Sequence, residues 1–421
     1  MTSMTSTPVA VSGALVNGST NIPASPAAFA RRSGSFAVSP WDAVMRLWER
    51  HPDPVFFGNG APAAELMPKA RLQEAAAAVW ANPANLELGY GGVRGFAPLR
   101  ELIAARMASQ GVTVSPDAIL LTNGSQQGID LIARLMLDPG DIVVVEGPAY
   151  IGALQVFDAC EAEYLVAPVD AEGIDIDALE AALIAAPRPP KILYTVPTFQ
   201  NPTGVTLSLA RRHALLEVAH RHGLLVVEDD PYGELRYAGE PVPPLRALDP
   251  DVVYLGTFSK TIAPGLRVGW LISPPAFQES LTNAREVSDI HGDRMTTQII
   301  YHTAVDFLDG HLEGARASYR ARRDVLAAAL AAEMPSGVTW TAPDGGFFLW
   351  LDLPPNLNAA ALLNTAADAG VIYLPGDLFY PGYTATGAGA RNGLRLSFSS
   401  LDEATIRKGI TRLGAVFRHE G

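Results

Sequence analysis

An α/β architecture is the fold class this sequence predicts: a mostly parallel, mixed sheet between helices, followed by a smaller α+β unit. Three observations point to it. From Ala118 to Ser273, short Val/Ile/Leu runs alternate with longer amphipathic segments, the pattern of parallel strands covered on both faces. A helical stretch from Pro275 to Ala332 then carries few turn signals, and further strands and helices follow with apolar residues for a core of their own. At 421 residues, 48% of them hydrophobic, the chain has the length of about two or three domains.

The elements follow in order. A helix over Pro40–Arg50 and a strand over Val55–Asn59 are expected to join the C-terminal unit from the N-terminal side. Ala118–Thr122 is a strand before the helix Ser125–Leu137, and Asp141–Glu146 is one before the segment Tyr150–Ala159. Lys191–Val196 precedes the helix Leu209–His222, and Leu224–Glu228, Asp251–Gly256 and Leu266–Ser273 complete the run of strands. Beyond the long helical stretch, Val338–Trp340, Gly346–Leu353, Val371–Leu374 and Gly393–Phe398 read as strands, with helices at Ala359–Ala369 and Glu403–Phe417. The expected division is a tail and arm over residues 1–57, a large domain over 58–300 and a small domain over 301–421.

Composition narrows the function classes. The net charge of −13, with no Lys/Arg run to offset it, argues against general binding to nucleic acid or an anionic membrane. Cys160 is the only cysteine, so no internal disulfide forms and a reducing, cytoplasmic setting is expected. Residues 1–30 hold no charged side chain and no compact apolar core, which does not fit a signal peptide, and no apolar run reaches the length of a membrane span.

In open α/β sheets, ligands bind beyond the carboxyl ends of the parallel strands, and unusual residues fall there. After the strand ending at Thr122, Asn123-Gly-Ser-Gln-Gln127 opens a helix whose free N–H groups suit a phosphate, although Ser125 also reads as a plain helix cap. Pro197-Thr-Phe-Gln-Asn-Pro-Thr-Gly204 is a rigid polar turn presenting Asn201. Asp229 stands at the end of a buried strand, where a lone carboxylate is costly without a cationic partner; capping the turn before Pro231 is the plainer reading. Finally, Gly256-Thr-Phe-Ser-Lys260 places an amine among hydroxyls, with Arg267 seven positions on. A phosphorylated aldehyde needs that set: an amine for a Schiff base, and hydroxyls with a guanidinium for the phosphate.

With these motifs in this order, the chain resembles the class I/II, fold type I aminotransferases that use pyridoxal phosphate. It is most similar to their 2-aminoadipate, kynurenine and aromatic branch, from about Phe56 to the C-terminus. The resemblance implies that Lys260 forms the Schiff base, that Asp229 pairs with the ring nitrogen, and that Asn201 and Tyr232 meet the phenolic oxygen. Tyr150, in Gly147-Pro-Ala-Tyr150, stacks on the ring; Ser125, Gln126, Thr257, Ser259 and Arg267 hold the phosphate. Tyr90 matches the tyrosine that reaches the neighbouring subunit's phosphate, so a homodimer is implied. Arg395 matches the binder of the substrate α-carboxylate, and Asn59 and Gly60 face the substrate.

The cofactor residues alone leave β-elimination, decarboxylation and oxidative deamination open beside amino-group transfer. Arg294 reads either as selecting an acidic side chain or as a surface salt-bridge residue. His220 and His222 sit at a helix end without metal-ligand spacing and are expected to be solvated helix termini, while Asp170, Glu172, Asp175 and Asp177 lack the spacing of a calcium loop, so a turn and helix cap are expected there and no metal. Some regulatory proteins carry an aminotransferase-like unit behind a DNA-binding module; the region before Phe56 is too short and too uncharged to be one.

Overall fold

Strands apolar along their whole length need cover on both faces, and a central sheet gives it to them. The computed structural model describes residues 29–36, 39–84, 87–382 and 392–420, so most of the N-terminal tail lies outside the described residues. The chain begins with helix α1 (Asp42–Arg50), strand β1 (Val55–Phe56), α2 (Lys69–Trp80) and α3 (Ala97–Ser109). It continues through β2 (Ile119–Thr122), α4 (Ser125–Met136), β3 (Ile142–Gly147), α5 (Ile151–Ala159), β4 (Glu163–Asp170), β5 (Gly173–Ile174) and α6 (Ile176–Ala185). Next come β6 (Ile192–Thr195), α7 (Leu209–His222), β7 (Leu225–Asp229), α8 (Leu245–Leu248), β8 (Val253–Thr257) and β9 (Gly269–Ile272). These strands form a sheet ordered β2-β9-β8-β7-β6-β3-β4-β5.

Neighbours from β8 across to β4 are parallel, whereas β9 runs antiparallel to both β2 and β8, and β5 folds back on β4. The sheet is therefore mixed and mostly parallel. β2, β3, β6 and β8 are buried at every residue, as their continuous apolar runs require. The strand expected from Leu266 begins only at Gly269, because Pro264–Leu266 forms a 3-10 turn and Arg267 takes a left-handed φ of 53°. β4, β5 and α6 fall in a stretch for which the sequence reading assigned no element apart from a turn and cap; Asp175 does cap α6, accepting from the Ala178 N–H at 3.0 Å.

The long helical stretch is three helices: α9 (Pro275–Asp289), α10 (Arg294–Ala304) and α11 (Leu308–Glu333). It breaks first where Ile290 adopts φ 65° and Asp293 caps α10. Beyond lie β10 (Thr339–Trp340), β11 (Phe348–Asp352), α12 (Leu363–Asp368), β12 (Val371–Ile372), β13 (Leu374–Pro375), β14 (Gly393–Ser397) and α13 (Glu403–Glu420). An antiparallel sheet ordered β10-β11-β14-β13 results, while β1 pairs in parallel with β12. One apolar cluster joins Val44, Val55 and Phe57 to Leu349, Val371 and Ile410, so the N-terminal elements do pack with the C-terminal ones.

Candidate active site

The ends of the parallel strands build the site from below. At the end of β7, Asp229 is 2% exposed. Its Oδ2 accepts from the Tyr194 hydroxyl at 2.8 Å, and among the described residues its Oδ1 has no hydrogen-bond partner. Burial pushes its pKa up to about 7, against the opposing pull of Tyr194 and the Lys260 cation. Lys260, just after β8, is only partly buried by its neighbours and donates from Nζ to the Gly60 carbonyl at 2.8 Å. Desolvation and the nearby Arg395 cation bring its pKa down to about 8, although Asp229 pulls the other way.

From β14 comes Arg395, 3% exposed, with its guanidinium over the rings of Phe348 (4.1 Å) and Phe379 (5.2 Å). Its Nη1 donates to Asn201 Oδ1 at 2.8 Å and its Nη2 to the Gly58 carbonyl at 2.7 Å, leaving Nε without a partner. Desolvation brings this cation's pKa down to about 10. Asn201 also reaches the buried Tyr232 hydroxyl, whose ionisation burial pushes far upward. Tyr150, at the start of α5, donates to Gln126 Oε1 at 3.3 Å and its pKa is raised to about 12 by burial.

Below these groups lies a cradle of donors. α4 starts at Ser125 after Gly124 with φ 75°, and no side chain caps its first turn, so the Ser125 and Gln126 N–H groups lack intrahelical partners. A Cβ on Gly269 would stand 2.8 Å from the Ser125 nitrogen and 2.7 Å from the Gly124 carbonyl carbon, so only glycine fits there. The Thr257 hydroxyl lies 2.9 Å from Ser259 Oγ and 3.1 Å from the Val268 carbonyl. Arg267, exposed, donates from Nη2 to the Asn123 carbonyl at 3.1 Å. The Gln126 side chain is turned away to the Gly152 carbonyl, 2.7 Å from Nε2.

The fold thus brings together Lys260, Asp229, Asn201, Tyr232, Tyr150, Arg395 and Gly60, with Ser125, Gln126, Thr257, Ser259 and Arg267 beneath them. One expected residue lies outside: Asn59 faces solvent with its Oδ1 accepting from the Ala61 N–H at 3.0 Å. Tyr90, expected to serve the neighbouring subunit, is 83% exposed, with its ring against the edge of His291. Arg294 forms no salt bridge among the described residues, unlike its surface salt-bridge reading: its Nη1 donates to the carbonyls of Gly89 (3.0 Å) and Tyr90 (2.6 Å). His220 is less free than a solvated terminus, since its Nε2 lies 2.6 Å from Asp249 Oδ2.

Sequence reading missed four contributors. Glu146, buried at the end of β3, binds Thr195 Oγ1 at 2.7 Å and Gln200 Nε2 at 3.0 Å, and burial raises its pKa to about 7. The signal for it existed, a carboxylate ending an apolar run, and was the one used for Asp229. Tyr194 looks like any residue of a buried strand, and the stacking of Phe348 and Phe379 on Arg395 has no sequence signature.

An unpartnered buried carboxylate oxygen, an uncapped helix end facing an arginine and hydroxyls, and a depressed amine fit a cofactor that combines a cationic ring, a phosphate and an aldehyde. Pyridoxal phosphate is such a cofactor. The chain belongs to the family Aminotransferase class I and II, whose pattern matches residues 53–413. It is a pyridoxal-phosphate enzyme of fold type I that transfers amino groups.

Among its relatives, aromatic-amino-acid aminotransferase 1 of Thermococcus litoralis is 40% identical over 93% of this chain and 94% of its own. The 2-aminoadipate transaminase of Thermus thermophilus is 36% identical over 93% and 96%. The solved kynurenine aminotransferase of Pyrococcus horikoshii, 39% identical, superposes with a TM-score of 0.86 over 93% of this chain and 97% of that one. Among the described residues no cluster of metal-ligating side chains occurs, and no helix is long and apolar enough to cross a membrane.

Proposed function

We propose that this protein moves the amino group of an L-amino acid with a large aromatic side chain to a 2-oxo acid, as a homodimer. The observation that carries the assignment of roles is the unpartnered Oδ1 of Asp229, within electrostatic reach of the depressed Lys260 amine. When bound, pyridoxal phosphate supplies an aldehyde that takes up the amino group and a ring that accepts the electrons released at Cα. Lys260 Nζ would hold that aldehyde and would move the proton at the substrate's Cα. Its low pKa keeps a useful fraction neutral near pH 8.

Asp229 Oδ1 would pair with the ring N–H and so keep the electron sink strong, with Tyr194 holding the other oxygen. Asn201 and Tyr232 would meet the phenolic oxygen, Tyr150 would cover the ring, and Ser125, Gln126, Thr257, Ser259 and Arg267 would hold the phosphate. Arg395, its plane fixed by Asn201 and Gly58, takes the substrate α-carboxylate. The exposed ring of Tyr90 reaches the partner subunit's phosphate, and Gly60 borders the substrate. The division at residue 300 belongs to the same reading and is supported by the separate antiparallel sheet.

Aromatic selection is supported by the activities named for two relatives. A second reading, 2-aminoadipate, is favoured by the Thermus relative but needs another cation for the distal carboxylate, and Arg294 is already engaged by carbonyls. The test is a half-reaction: the holoenzyme is mixed with phenylalanine, kynurenine or 2-aminoadipate, and absorbance and products are followed. Conversion of the cofactor to its amine form by the aromatic substrates, with ping-pong kinetics, is expected. Preference for 2-aminoadipate overturns the substrate assignment.

A further inference from the structure

Behind the phosphate cradle, the side chains of Arg285, Asp289, Gln127 and Asn123 form a hydrogen-bonded network that touches the proposed cofactor contacts only through the backbone of residues 121–123, with Arg285 Nη2 left without a partner among the described residues. Arg285, fully buried in α9, donates from Nε to Asp289 Oδ1 at 2.6 Å. Its Nη1 donates to the Leu121 carbonyl at 2.9 Å and also to Gln127 Oε1. The other oxygen of Asp289 accepts from Asn123 Nδ2 and from Gln127 Nε2, each at 3.0 Å. Gln127 Oε1 in turn accepts from the Asn123 N–H at 2.8 Å. Asn123 is thereby held at its backbone nitrogen and its side chain, and its carbonyl is the acceptor that orients Arg267 Nη2 at 3.1 Å. The next residues are Gly124 and Ser125, where the uncapped N–H groups begin.

We propose that Asp289 is a positioning residue for the cofactor phosphate, acting through Asn123 on Arg267 and on the first turn of α4. The inference rests on the assignment of the phosphate to Ser125 and Arg267. Its physical basis is that Arg285 is buried where a lone cation is costly, and Asp289 both compensates that charge and spends its second oxygen on the turn.

The experiment uses the full-length apoenzyme, titrated separately with pyridoxal phosphate and with pyridoxal, which lacks the phosphate. Asp289→Asn should lower the preference for the phosphorylated form about tenfold, the effect of one lost charge-assisted hydrogen bond, while leaving pyridoxal binding unchanged. Asn123→Ala keeps the Arg285–Asp289 pair intact, so it tests the idea even if Asp289→Asn folds poorly; it should lower the same preference several-fold. Glu279→Ala, on the exposed part of α9, should match the wild type. A wild-type preference in both variants, or an equal loss for both ligands, overturns the proposal. A wild-type enzyme that binds pyridoxal as tightly as pyridoxal phosphate overturns the phosphate assignment beneath it.

Discussion

Arg395, on the antiparallel sheet, donates to Asn201, on the turn after β6, across 2.8 Å of a buried contact. The two parts of the chain that close the site thus meet through the group proposed to take the substrate carboxylate. Arg395→Lys keeps the charge and loses the fork. With charge-assisted hydrogen bonds contributing about 1.5–3 kcal/mol, kcat/KM for amino acids should fall roughly 10- to 100-fold, with cofactor affinity unchanged. Steady-state kinetics beside a cofactor titration check this.

Asp229 gives a pH dependence with a definite sign. Its folded pKa is raised to about 7 from an ordinary value of 3.8, so between these values the folded apoenzyme holds the proton more tightly than the unfolded chain. Its contribution to stability therefore falls as pH rises through that window, and the cost of the buried carboxylate is fully present above about 7. Asp229→Asn in the apoenzyme should raise Tm more at pH 8.5 than at pH 5, while the holoenzyme loses turnover. Equal Tm shifts at both pH values contradict the account.

Gly269 and Gly314 make a matched pair. An alanine at 269 would press its Cβ against the Gly124 carbonyl carbon and Ser125 nitrogen, costing about 1–3 kcal/mol and loosening the phosphate cradle. At 314, on α11, nothing lies within 4 Å, and alanine should stabilise the helix by up to about 1 kcal/mol. Thermal melts with and without cofactor separate the two.

Tyr90, 83% exposed, has little to contribute to the stability of its own subunit. Tyr90→Ala should leave the apoenzyme's folding stability within about 0.5 kcal/mol of the wild type yet weaken cofactor binding. Mixed with Lys260→Ala subunits, it should recover activity, because each mixed dimer then contains one intact site. Failure of the mixture to recover activity contradicts action across a dimer.

How much of this was legible in the sequence depends on which signal each element carries. β3, β6 and β8 are continuous apolar runs, and α7 spans Leu209–His222 as expected, with Ser208 before it and Gly223 after it. The antiparallel course of β9 was not legible, because an apolar run has no direction; nor was β4, next to the edge strand β5, whose partly exposed residues resemble a loop. The break at Ile290 was masked by a residue type that rarely adopts positive φ, although Gly292 and Asp293 beside it are turn and cap residues. For the site, Lys260, Asp229, Asn201 and Arg395 stand out by type against their surroundings. Tyr194, the Gly58 carbonyl and the rings about Arg395 are set only by tertiary packing.

The central claim is that Lys260 Nζ both holds the cofactor and moves the proton at Cα. The most direct measurement is the absorbance of Lys260→Ala holoenzyme before and after addition of an accepted amino acid, against the wild type. The account predicts a variant that retains the cofactor without a covalent bond and does not reach its amine form at a wild-type rate, falling at least 1,000-fold short in the range of lost general-base catalysis. Conversion at the wild-type rate contradicts it.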